Sequence, residues 1–148
     1  MRVRFERAED ILREEKAVSL FVGDRQDLVY KGLGPHDVDF SIHKKGESKA
    51  TAYVEIKGVK KVESVYDSHT PVVAIKKLVT LQKLVNEKEC EHVYIAWAYN
   101  DGIKYAKIQD LKGKLVWGGQ KSRRHGSYYD HELMFIATDT DFKVKTYV

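Results

Sequence analysis

Cysteine and proline are nearly absent from this 148-residue chain: Cys90 stands alone, and Pro35 and Pro71 are the two prolines. A single cysteine excludes an intramolecular disulfide and a thiolate zinc cluster. No apolar run approaches the roughly 20 residues of a membrane-spanning helix. The N-terminal residues, which alternate charge with isolated apolar positions, also lack the shorter apolar core of a signal peptide. A soluble, intracellular and cytoplasmic protein with no membrane partner is the expectation. Internal repeats, low-complexity segments and Pro/Gly/Ser linkers are missing too, which predicts a single domain over 1–148 with one core. There is no histidine pair at ligand spacing, no nucleophile elbow, no Walker loop and no dinucleotide fingerprint.

What the chain does have is charge. Its 26 Lys and Arg against 22 Asp and Glu leave a formal net charge of +4, which suits a polyanionic partner without demanding one. The most patterned stretch is Gly34 to Gly58. Two alternating runs, Asp37 to His43 and Thr51 to Lys57, flank the polar turn Lys44-Lys45-Gly46-Glu47-Ser48-Lys49 and predict an antiparallel hairpin. The period of two places Tyr53, Glu55 and Lys57 on one face, with Val54 and Ile56 on the other. On the first strand Asp37, Asp39 and Ser41 alternate with Val38, Phe40 and Ile42. Both aspartates therefore project to one side, within reach of Glu55.

A carboxylate on one strand, then Glu55-Ile56-Lys57 on the next, resembles the PD-(D/E)XK nuclease superfamily, with Pro35 and Asp37 close to its usual Pro-Asp. The frames Val-Asp-Phe and Val-Glu-Ile-Lys-Gly look most like archaeal Holliday junction resolvases and small phage or homing endonucleases, over about residues 5 to 110. The resemblance implies an α+β, restriction-endonuclease-like core with a central mixed sheet flanked by helices. It also implies a third carboxylate on an N-terminal helix, with Glu6 and Glu9 as candidates, and a Gln or Lys offered toward the site by the helix after the Glu-x-Lys strand, with Gln82 as candidate.

Along the chain, Phe5, Ala8, Ile11 and Leu12 at helical spacing predict an amphipathic helix over residues 2–16. Ala17 to Val22 reads as a first strand or a helix-to-strand junction, and Asp24 to Gly34 as a loop. Thr70 as N-cap and Pro71 as first helical residue predict a helix from Pro71 to about Glu89, with Val72, Ile75, Leu78, Val79, Leu81, Leu84 and Val85 on its apolar face. His92 to Tyr99 reads as a buried strand, turned by Asn100-Asp101-Gly102 into a second over Ile103 to Ile108. Asp110 to Gly126 reads as a mobile basic loop, Glu132 to Ala137 as a last buried strand, and Phe142 to Val148 as an edge strand or dimer arm. Lys60 and Lys61 after the hairpin, with Lys121, Arg123, Arg124 and Tyr128 in and after the basic loop, are candidate nucleic-acid contacts. Interleaved cations and aromatics suit a phosphate backbone and stacked bases.

Asp39 and Glu55, with the Ile56 carbonyl, form an oxygen-only donor set suited to Mg2+ or Mn2+, and Asp37 is a further ligand or a support. Lys57 would orient or deprotonate an attacking water, or offset developing charge. These features point to a divalent-metal-dependent DNA endonuclease. Because enzymes that cut two strands pair their sites by two-fold symmetry, a dimer or tetramer is expected. The alternatives are a catalytically inactive nucleic-acid-binding module on the same fold, and a structural α+β protein in which Glu55 and Lys57 are a surface ion pair worth ~0 to 1 kcal/mol.

Overall fold

The computed structural model describes residues 8–33, 38–59, 64–66, 70–118 and 132–147. In chain order these form helix α1 (Ala8–Val22), strands β1 (Leu28–Gly32), β2 (Phe40–Lys44), β3 (Ala50–Gly58) and β4 (Val72–Ala74), and helix α2 (Ile75–Lys88). Strands β5 (Val93–Ala98), β6 (Gly102–Lys107), β7 (Lys114–Gly118), β8 (Glu132–Ile136) and β9 (Lys143–Thr146) follow. A six-stranded sheet has the order β1-β2-β3-β5-β6-β9, and a three-stranded sheet the order β4-β8-β7. In the larger sheet β3 and β5 run parallel, since the chain between them crosses over through α2, and the remaining neighbours are antiparallel. A central mixed sheet flanked by helices is the architecture that the resemblance implies.

The alternation along β3 sorts its side chains between two cores. Val54 and Ile56 join Phe40 and Ile42 of β2, Ala96 and Ala98 of β5 and Ile103 of β6 against Ala17 and Val18 of α1. On the opposite face Val93 of β5 meets Leu81 of α2 and Val38, with Tyr53 packed alongside, while Ile95 and Trp97 meet Val73 of β4. Each of the larger of these side chains (Val, Leu, Ile, Phe), taken fully out of water, contributes about 1.5–3 kcal/mol, so both helices are held chiefly by these seams. Trp97 adds a hydrogen bond, its indole N–H donating to the Val72 carbonyl at 3.1 Å and tying β4 to β5.

Several sequence expectations are corrected. Ala17–Val22 is neither a strand nor a junction but the last turns of α1, and its buried residues are Ala17 and Val18. Ile11 and Leu12 stand exposed at 45% and 62%. The apolar stripe at 17, 18 and 21 fits the helical period better than a strand, and it sets which face meets the sheet. The presumed loop before the hairpin contains β1, an edge strand whose mostly exposed residues carry little apolar signal. Thr70 and Pro71 do not start α2. Val72–Ala74 pairs with Met134–Ile136, and the N-cap is Ala74, without a side-chain cap. Within the presumed basic loop, Lys114–Gly118 is a strand paired with β8. Finally, Val38 does not share a face with Phe40 and Ile42. The chain bends at Asp39, so β2 begins one residue later and Val38 packs on the α2 side.

Candidate metal and phosphate site

The bend at Asp39 and the excess length of β3 create the site. Phe40 lies opposite Val54, so β3 runs on to Gly58 after β2 has ended. Ile56 has the same parity as Val54, and its N–H faces the edge where a partner strand is missing. The Asp39 carboxylate takes that place, Oδ2 accepting from Ile56 N–H at 2.8 Å. The Asp39 backbone is held from both sides: its N–H donates to Glu55 Oε1 at 3.3 Å, and its carbonyl accepts from Leu33 N–H at 3.0 Å. In an extended strand a residue's N–H and carbonyl leave on one side, so the Ile56 carbonyl opens on the same edge as Asp39.

Glu55 is unusual for its burial. It is 7% exposed, on the face covered by α2, with Ile95 of β5 beside it in register. A buried carboxylate is tolerated when charge and hydrogen bonds compensate it. Here Asp39 N–H serves one oxygen, and Lys77 Nζ lies 3.0 Å from the other, Oε2. Lys57 follows two residues later on the same side of β3 and is exposed. At the end of the strand the Arg13 guanidinium of α1 passes over Gly58 so closely that a Cβ there would sit 2.5 Å from its Nη2. A methyl at 58 would displace only that flexible side-chain end.

The structure thus brings Asp39, Glu55, Ile56 and Lys57 to one place. It does not bring Gln82 there: its amide donates to Asn86 Oδ1 at 3.4 Å on the exposed side of α2. The reason is the helical period. Gln82 is 100° around from buried Leu81, whereas Lys77, one turn before Leu81, shares the inward stripe and reaches Glu55. Lys77 and Arg13 were both missed from sequence. A lysine spaced i, i+4 from a core leucine was the available signal for Lys77, and nothing local marked Arg13. Glu6, Asp37, Lys60, Lys61, Lys121, Arg123, Arg124 and Tyr128 lie outside the described residues, as does the side chain of Glu9.

No family model and no curated protein matches the sequence. Among solved structures the chain is similar to the Holliday junction resolvase of the archaeal hyperthermophile Archaeoglobus fulgidus, at a TM-score of 0.47 and 11% identity over 84% of this chain and 87% of that one.

The donor set decides which ion the described residues suit. Two carboxylates and a backbone carbonyl are hard oxygen donors. Among the described residues no group of three His, Cys, Asp or Glu could hold a metal. Carboxylate and carbonyl oxygens are the donor type that magnesium or manganese takes, with water filling the remaining positions. No helix of the described chain is long and apolar enough to cross a membrane.

Proposed function

We propose that this protein is a divalent-metal-dependent endonuclease that hydrolyses phosphodiester bonds in DNA. The observation that carries the reading is the mutual lacing of Asp39 and Glu55. One carboxylate is bonded to Ile56 N–H, the other to Asp39 N–H, so two acidic side chains share the corner where β3 outruns β2. Two carboxylates drawn to one corner repel each other, and a divalent cation shared between them would offset that repulsion.

In this reading Asp39, Glu55 and the Ile56 carbonyl hold Mg2+ or Mn2+. The bound ion would supply charge neutralisation at the phosphate and a more acidic water. Lys57, exposed and on the same side as Glu55, would orient the attacking water and accept or balance its proton. Lys60, Lys61, Lys121, Arg123, Arg124 and Tyr128 would follow the nucleic-acid backbone, and two-fold pairing of chains would place two sites on two strands. The protein would work as a single domain over 1–148.

The test is cleavage of plasmid, four-way junction and single-stranded DNA with Mg2+ or Mn2+, with and without chelator, by wild type and by Asp39→Asn, Glu55→Gln and Lys57→Ala. Metal-dependent cutting that all three substitutions abolish supports the reading. Wild-type activity in Glu55→Gln, or cutting that survives chelation, refutes it.

A further inference from the structure

Both carboxylate oxygens of Glu55 are engaged, but by partners of opposite character. Oε1 accepts from the backbone N–H of Asp39, itself pinned by the Leu33 bond to the Asp39 carbonyl. Oε2 faces Lys77 Nζ at 3.0 Å, at the end of a four-carbon tether from the first turn of α2, on a side chain 44% exposed. The backbone donor cannot leave without unmaking the corner. The ammonium can, because nearly half of its side chain already lies in water.

We propose that Lys77 is the resident counter-cation of Glu55, holding the carboxylate in place in the metal-free protein and giving up Oε2 when a divalent cation binds. The inference rests on the reading of Asp39 and Glu55 as a metal pair. A carboxylate as buried as Glu55 needs a compensating charge at all times. An ammonium and a divalent ion cannot both sit against one oxygen without strong mutual repulsion, so Lys77 and the metal compete. Once displaced, the Lys77 ammonium stands at the exposed rim of the site. There it can meet the phosphodiester anion that the ion also attracts. Lys76, one residue earlier and exposed, carries the same charge but points 100° away, which makes it the natural control.

Calorimetric titration with Mn2+ alone tests this on wild type, Lys77→Met, Lys76→Met and Glu55→Gln. Lys77→Met should bind Mn2+ about fivefold more tightly than wild type, on the order of the strength of a half-exposed ion pair. Lys76→Met should stay close to wild type. Equal or weaker binding by Lys77→Met overturns the proposal while leaving the metal pair intact. Binding absent from both wild type and Lys77→Met, or undiminished in Glu55→Gln, overturns the metal pair itself and the proposal with it. If Lys77→Met fails to fold, reductive methylation of the wild-type lysines, read by mass spectrometry, replaces it. Saturating Mn2+ should raise the modification rate of Lys77 several-fold over that of Lys76, and an unchanged ratio refutes the exchange.

Discussion

Replacing Asp39 by alanine and by asparagine separates what its carboxylate fastens from what it could bind. The Asp39 Oδ2 bond to Ile56 N–H, 2.8 Å long and partly buried, satisfies a donor that β2 leaves unpaired. Alanine removes a charged acceptor and strands that N–H, which costs about 2 kcal/mol. For a chain of this length that corresponds to a fall in melting temperature of about 6 °C. Asparagine keeps an oxygen in the same position, so its cost should stay within about 1 kcal/mol, yet it removes the negative charge. Thermal melts monitored by circular dichroism, paired with Mn2+ titration, should therefore rank stability as wild type, then Asn, then Ala, while both variants lose the metal. Equal stability of the Ala variant and wild type would refute the role of the carboxylate as the missing strand partner. Full Mn2+ affinity in the Asn variant would refute its role as a ligand.

Leu81→Ala should destabilise the fold by about 2–5 kcal/mol in urea unfolding, since Leu81 of α2 is 1% exposed against Val93 of β5 and its loss leaves a cavity in that seam. Gly102→Ala should detach β9, because a methyl there collides with the carbonyl of Lys145, the neighbour of its register partner Thr146 in the β6–β9 pair. Hydrogen exchange at Lys143–Thr146 would then speed up, with unaltered protection counting against the packing. The Ser64 hydroxyl and the Val65 N–H both donate to Asp101 and hold its carboxyl below the usual carboxylate range. Its folded pKa is lowered, so its contribution is complete above about pH 4 and lost as pH falls through the lower folded value. Asp101→Asn should accordingly flatten the acid limb of urea midpoint against pH, and an identical limb would remove Asp101 from the linkage.

The parts of the fold legible in the sequence are those where local and long-range forces agree. The β2–β3 hairpin, with Gly46 at φ +86° in its turn, the β5–β6 pair and the body of α2 all carry clear periodicity. The errors arose where tertiary pairing overrides local signals. Thr70 and Pro71 look like a helix start, yet β8 recruits Val72–Ala74 as a strand. Ala17 and Val18 look strand-like only if the preceding glutamates are ignored, and the exposure of Ile11 and Leu12 shows that apolar content alone does not select the buried face. In the site, Glu55-Ile56-Lys57 and Asp39 were visible because the period of two is rigid. The substitution of Asp39 for a strand partner, and of Lys77 for Gln82 beside Glu55, depends on where one strand stops and how one helix is rotated.

Diffraction from crystals soaked in Mn2+, with anomalous data collected at the manganese edge, shows directly whether Asp39 and Glu55 share a metal ion. An anomalous peak is expected between the carboxylates of Asp39 and Glu55 near the Ile56 carbonyl, with Lys77 Nζ withdrawn from Glu55 Oε2. A peak found only elsewhere, or none at saturating Mn2+ with the Lys77–Glu55 pair still closed, would contradict a shared ion and leave the acidic corner as an ion-pair network of the sheet.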